Sequence, residues 1–348
     1  MKKNAFPQTI ADIIEKEFLA EYPDLDRDVQ LFRSSTSLTW PDWCYLPMTA
    51  SYAIVIRDAD EIFAKLSMAN ALMNNFHYLS AIIPWRVGKP VYRFDEDFEE
   101  ELMNSGSEKE KFPVELLFRM PYPGLFIEKP YGMKDVCDGM YVFLEYDKRY
   151  PNAVELRMHY VFKDETIGVA FFQYDVHNAD ATLFSAKLQT EARNTLLEIG
   201  GLPRVTLTPA NIDAMMSNCR QHLNYLLYLC SEEPDITRTA PIPRVKKNGV
   251  AAYSDKIAVG NQAGVILREA RRASHASEET EPRPEGSHGR KIPHMRRAHW
   301  HLYWTEEGRK TPRLKWVQPV FVGGRNVSKP TTIIREKSSR SIEDSPKK

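Results

Sequence analysis

The sequence predicts an α+β protein, with a helical N-terminal part, a central antiparallel sheet covered by helices, and a basic C-terminal β-hairpin with a flexible tail. Three observations carry that class. Apolar residues recur every three or four positions ahead of Pro84, and again in two segments after Ala181. Between Gly124 and Val176 the period drops to two. Near the end, two alternating tryptophan-bearing segments flank a polar turn.

The 348 residues are 43% hydrophobic and 11% aromatic, which suffices for a sizeable core and excludes wholesale disorder. The length suggests two structural units, with one or three also compatible. We read a helical region over 1–110, a sheet with two helices over 111–231, and a linker with a flexible segment over 232–293. An aromatic, basic hairpin over 294–328 and a disordered tail over 329–348 complete the organisation.

"TIADIIEKEFLAEY" reads as an amphipathic helix, with Ile10, Ile13, Ile14, Phe18 and Leu19 at helical spacing. "TWPDWCYLPMTASYAIVI" reads as a compact, turn-rich segment, since proline opposes long helix and aromatics supply anchors. A second helix follows on Ile62, Leu66, Ala69, Met73, Phe76 and Leu79, with Asp58 or Asp60 as candidate cap and Pro84 as its stop. The acidic "FDEDFEEELMNSGSEKEK" reads as an exposed connection.

"GLFIEK", "GMYVFLEYD", "AVELRMHYVF" and "TIGVAFFQYDV" are β-branched and aromatic runs separated by turn-sized segments, and they predict an antiparallel meander. "ATLFSAKLQTEARNTLLEIGG" and "TPANIDAMMSNCRQHLNYLLYLCSEE" then predict two helices, one with a Gly-Gly stop and one with a Thr-Pro start. They should cover one face of the sheet. "EEPDITRTAPIPRVKKNGVAAYSDK" has linker composition, "AVGNQAGVILREARR" adds a candidate strand, and "ASHASEETEPRPEGSHGRKIP" reads as a flexible excursion.

The closing "RRAHWHLYWTEEGRKTPRLKWVQPVFVGG" gains sense when written as a hairpin. Ala298, Trp300, Leu302 and Trp304 then share one face of the first strand; Arg297, His299, His301 and Tyr303 share the other. Leu314 and Trp316 join the first face, Arg313 and Lys315 the second. Trp300, Trp304 and Trp316 are therefore expected in an aromatic core. Arg296, Arg297, His299, His301, Tyr303, Arg313 and Lys315 form the candidate partner-binding face.

The net charge of zero conceals an asymmetry. From Arg283 to Lys348 there are 16 Lys and Arg against 6 Asp and Glu, a surplus of +10. A basic end on an acidic body fits an acidic partner such as nucleic acid, and also fits a solvated tail without one.

No metal and no cofactor are expected. His299 and His301 supply two candidate ligands, but a metal centre needs a third, and no cysteine lies nearby. The spacing of His299, His301, Arg296 and Arg297 follows from strand alternation alone, so no catalytic residue is assigned. GxGxxG, P-loop, HExxH and GxSxG motifs are absent from the sequence. His222, inside an apolar helix, reads as a satisfied core residue, and Cys44 as buried packing. The four cysteines show no CxxC spacing and suit a reducing cytosol. No segment reaches the ~20 apolar residues of a membrane span, and no signal peptide is legible, so a cytoplasmic protein is expected.

The C-terminal segment resembles a signature, roughly basic-x-HWHxYW…KxKWxxPxFVGG, of proteins from bacterial mobile elements. "RMPYPGLFIEKP" is similar to a mid-chain strand entry of the same proteins. The chain departs from it at Tyr122, Pro123 and Gly124, where that entry carries Glu-Trp-Cys. The best-studied branch is the second described family of type V-A anti-CRISPR proteins. The resemblance implies a non-enzymatic protein that recognises the N-terminal polypeptide of the type V-A CRISPR effector nuclease during translation and triggers loss of its mRNA. On this expectation the sheet and helices grip peptide, while the basic end meets ribosome or RNA. The alternative is an RNA-binding or RNA-cleaving protein of a phage or plasmid that uses the His/Arg face directly.

Overall fold

The computed structural model describes residues 8–35, 37–57, 67–105, 112–148, 151–164, 167–175, 178–182, 217, 221–239, 241–246, 248–280, 294–308 and 310–322. Four helices come first: α1 (Ile10–Glu21), α2 (Leu25–Ser34), α3 (Met48–Arg57) and α4 (Ser67–Trp85). A capping box starts α1, where the Thr9 hydroxyl accepts from the Asp12 amide and the Asp12 carboxylate accepts from the Thr9 amide. Helix α3 occupies much of the segment expected to be turn-rich. Pro47 directly precedes it, where a missing N–H costs nothing. Helix α4 ends one residue past Pro84, in keeping with the predicted stop. The candidate caps Asp58 and Asp60 lie outside the described residues.

The centre is an eight-stranded sheet in the order β6-β5-β4-β3-β2-β1-β8-β7. Its strands are β1 (Pro90–Phe94), β2 (Gly124–Glu128), β3 (Cys137–Glu145), β4 (Ala153–Phe162), β5 (Ile167–Asp175), β6 (Asn178–Thr182), β7 (Ile236–Arg238) and β8 (Asp255–Val259). The predicted meander is present: β2 through β6 pair antiparallel with their neighbours in sequence. The sheet as a whole is mixed, because β1 pairs parallel with both β2 and β8. A parallel neighbour requires a crossover. Helix α5 (Glu96–Met103) and a 3-10 helix (Val114–Arg119) lie in the β1–β2 connection.

Two expectations are corrected here. The acidic stretch is not an exposed connection, because α5 buries Phe98, Leu102 and Met103 and turns Asp97 and Glu100 outward to cations. The segment over 232–293 is not a linker. It supplies β7, β8 and a long helix, α7 (Asn261–Thr280). The five residues of β8 include Asp255 and Lys256, which hides its periodicity. The rest of that segment, 281–293, lies outside the described residues, as do most of the first predicted covering helix and the whole predicted tail.

Glycine is required where β8 turns into α7. Gly260 has φ +75°, and an added Cβ would lie 2.0 Å from the Phe98 ring. At Gly264 a Cβ would lie 2.0 Å from Asp95 Oδ1. Asp95 caps α5 through the Phe98 amide and also receives Arg268 of α7, so α5 and α7 close on one carboxylate.

Both faces of the sheet are covered. On β3, Tyr141 and Phe143 pack beneath α1 to α4, while Met140, Val142 and Leu144 point the opposite way. That opposite face is covered by α5, the 3-10 helix, the start of α7 and a helix over 221–229, here α6. Helix α6 is the described part of the second predicted covering helix. Buried ions tie the layers: Arg86 Nε lies 2.7 Å from Glu15, which Lys89 also contacts. Removing one partner from such a set strands a buried charge, which is far costlier than losing an exposed pair.

Candidate functional site

The C-terminal ribbon comprises β9 (His294–Arg296) with β12 (Val320–Val322), and β10 (His299–Thr305) with β11 (Thr311–Val317). In β10–β11 the register sets Trp300 opposite Trp316, Leu302 opposite Leu314, and Trp304 opposite Pro312. His301 faces Lys315 and Tyr303 faces Arg313 across the other side. The two faces are those that alternation predicts.

The apolar face docks on the body. Trp300, Leu314 and Trp316 are buried in the same core as β2 to β4, so the ribbon shares its core with the sheet. Trp316 meets the edge of Phe98, ring centroids 5.1 Å apart, and Trp300 Nε1 donates to Asn224 Oδ1 of α6 at 2.9 Å. The Glu232 amide donates to the Leu314 carbonyl at 2.7 Å, and Arg119 donates to the Pro312 carbonyl at 2.6 Å. Trp304 departs from the expected core: it is 44% exposed. It sits one pair from the tip, opposite Pro312, and is not enclosed as Trp300 is.

On the polar face, His301 and Lys315 are exposed and His299 and Tyr303 half-buried. The His301 and Tyr303 rings lie 5.5 Å apart. His299 Nδ1 lies 3.4 Å from the Arg297 carbonyl. Arg296 and Arg297 are exposed on the approach to β10. Arg313 is partly neutralised by Glu232, 2.7 Å away. Among the described residues Arg296, Arg297 and Lys315 have no ion pair, so they carry the open positive charge of this face. Among the described residues no three His, Cys, Asp or Glu side chains converge as a metal site.

The interior holds several buried polar groups. His222 is fully buried. Its Nδ1 lies 2.9 Å from the Tyr160 hydroxyl and its Nε2 2.8 Å from the Tyr131 carbonyl, so neutral imidazole accepts at one nitrogen and donates at the other. Burial pushes it down to about 4. This agrees with its reading as a satisfied core residue. Glu145 is buried on the other side of the sheet. One oxygen accepts from the Met48 amide at 2.9 Å, the other has no hydrogen-bond partner among the described residues, and burial pushes its carboxyl up to about 8. His77 and His159 meet edge to face at 5.4 Å, and burial drives His77 down to about 3. Cys44 is buried with its thiol raised by burial, as packing and not a nucleophile would be. Phe32, Leu38, Trp40, Pro47 and Tyr146 frame an open cleft of about 370 Å³.

Tyr122, from the mid-chain motif, is held between elements. Its hydroxyl lies 3.3 Å from Asp255 Oδ2 and from Arg238, and Arg238 Nε lies 3.0 Å from the same carboxylate. A Cβ on Gly88 would lie 2.2 Å from the Tyr122 ring, so glycine there makes room for it. Neither carboxylate is marked by its neighbours, since Asp255 stands between Ser254 and Lys256 and Glu145 closes an apolar run ahead of Tyr146 and Asp147. Their partners lie too far along the chain to be paired without the fold.

A family model described as "AcrVA2-like: Anti-CRISPR type V subtype A2 family" matches residues 92–324, from β1 to just past the ribbon. A solved structure described as "Crystal structure of AcrVA2" aligns with 90% of this chain and 100% of its own, with a TM-score of 0.57 and 16% identity. At that identity the likeness is one of fold. No curated protein matches the chain.

Proposed function

The chain belongs to the AcrVA2-like anti-CRISPR type V subtype A2 family, and on that premise we propose that it acts in the bacterial cytoplasm as a binding protein without chemistry of its own. It recognises the N-terminal polypeptide of the type V-A CRISPR effector as that chain is translated, and it lowers effector production through loss of the effector mRNA. The observation that carries this reading is the division of the C-terminal ribbon. Trp300, Leu314 and Trp316 are spent on the core, while His301, Tyr303, Lys315, Arg296 and Arg297 face outward on a rigid support. A fixed, cationic, aromatic-bearing face suits contact with ribosomal or messenger RNA, whose phosphates need cations and whose bases need rings.

The test separates peptide from message. Effector mRNA is supplied either in frame or with paired frameshifts that change the N-terminal peptide while leaving the nucleotides nearly unaltered. Loss of the in-frame message alone supports peptide recognition. Equal loss of both messages removes it. Cleavage of naked RNA by purified protein, abolished by His301→Ala, would establish the nuclease alternative instead.

A further inference from the structure

The proposed peptide capture needs a surface, and neither sheet face offers one, because both are buried. The edges differ. Strand β7 closes one end of the eight-stranded order. Asp235 and Thr239 spend their backbone groups on Gly260 and Lys256 beside β8, and Thr237 pairs with Ala258. By antiparallel alternation, the backbone N–H and C=O of Ile236 and Arg238 point away from β8. Such an edge is a template for a further strand.

The chain leaving β7 is no slack connection. Val245 bridges to Ala251, with Lys246 N to Val250 O at 2.8 Å and Ala252 N to Arg244 O at 2.9 Å. This small loop is pinned to the N-terminal layer: Asn248 donates to Asp26 at 2.6 Å, the Ala251 amide to the Arg86 carbonyl at 2.9 Å, and Ser254 to Asp12. Val250 and Ala251 are buried on its inner side. On its outer side Ile242 and Val245 stand 65% and 63% exposed. Two large aliphatic side chains thus stand in water on a loop anchored through Asn248, Ala251 and Ser254.

Charge narrows the occupant. From Ile236 to Ser254 the sequence carries Arg238, Arg244, Lys246 and Lys247 and no acidic residue. Arg238 is answered by buried Asp255. Arg244 and Lys246 are exposed and without an ion pair among the described residues. Aliphatic side chains give no flat ring for a base, so Ile242 and Val245 fit a polypeptide better than a nucleic acid.

We propose that the β7 edge and the loop over 239–253 take an extended polypeptide segment as a ninth strand, with its aliphatic side chains on Ile242 and Val245 and its carboxylates on Arg244 and Lys246. Backbone pairing supplies affinity, and the side chains select. The proposal rests on the peptide-capture reading and gives it a location and a sequence preference, acidic and aliphatic.

The test uses the full chain and peptides tiling the N-terminal region of the effector, with affinity read by fluorescence anisotropy. Ile242→Asp/Val245→Asp and Arg244→Glu/Lys246→Glu should each weaken the bound peptide at least tenfold with unchanged thermal melting. Reversing that peptide's acidic residues to lysine should restore binding to the second variant. Hydrogen exchange at the Ile236 and Arg238 amides should slow when peptide is bound. If both variants bind as wild type does, this surface is wrong while peptide capture stands. If wild type retains no tiled peptide, both fall. Slowed exchange at those amides with single-stranded RNA, and not with peptide, would make the edge a nucleic-acid face and overturn the proposal.

Discussion

The indole Nε1 of Trp316 donates to the Ser105 hydroxyl at 2.8 Å, joining residues 211 positions apart. This bond seats the C-terminal ribbon against the end of α5 and couples the candidate RNA face to the core. Mutations on the two faces of the ribbon should therefore have separable effects.

Trp300→Ala and Trp316→Ala should each destabilise the whole protein by ~3–5 kcal/mol, the usual cost of deleting a buried aromatic side chain. Trp304→Ala should cost clearly less, about 1 kcal/mol, since that side chain is only partly covered. Chemical denaturation of the three variants checks the order. Equal losses at all three positions would return Trp304 to the core.

The two buried acids and bases give opposite pH signatures. Glu145 binds its proton more tightly folded than unfolded, so its contribution is complete below an unfolded value of ~4.3 and is lost as pH rises through about 8. His222 is depressed to about 4, so its contribution is complete above an unfolded ~6.5 and is lost as pH falls through about 4. Glu145→Gln mimics the protonated carboxyl. Relative to wild type it should gain stability between about pH 5 and about pH 8. Denaturant midpoints at both values decide this, and a constant difference between the two proteins would show that Glu145 does not titrate as described.

Among the cations, Arg313 and Lys315 should separate. Arg313→Gln loses the Glu232 contact and should lower affinity for RNA only modestly. Arg296→Gln/Arg297→Gln/Lys315→Gln removes the unpaired charges. It should flatten the dependence of RNA affinity on salt by up to about three units of slope, because each neutralised phosphate releases counterions. Peptide capture should be unaffected. A salt titration with wild type and both variants tests the division, and loss of peptide with RNA affinity intact would exchange the roles of the two surfaces.

Protein purified without a histidine tag should contain no stoichiometric zinc, manganese or nickel, because His299 and His301 lack a third ligand among the described residues. Elemental analysis is the measurement. About one equivalent of metal, lost on His299→Ala/His301→Ala, would overturn the binding-only reading.

Wherever a local period was strong, neighbouring residues were enough to specify the element. The sequence placed β2 to β5, α1 and the two faces of the β10–β11 hairpin, because side-chain alternation and helical spacing are properties of neighbouring residues. It also marked His222 and Cys44 as interior. The C-terminal signature carried the family, since thirty residues of unusual composition are specific without any fold. What the short or charged segments do depends on long-range packing. Glu99 and Asp255 read as solvent-facing until Tyr225 and Arg238, distant in sequence, are brought to them. Strands β7 and β8 have three and five residues, too few for a period to show, and they become strands through pairing with β1 and with each other. Trp304 has the alternation of a core residue, yet burial depends on what stands opposite. Its cross-strand partner Pro312 is buried, while Trp304 itself stays 44% exposed.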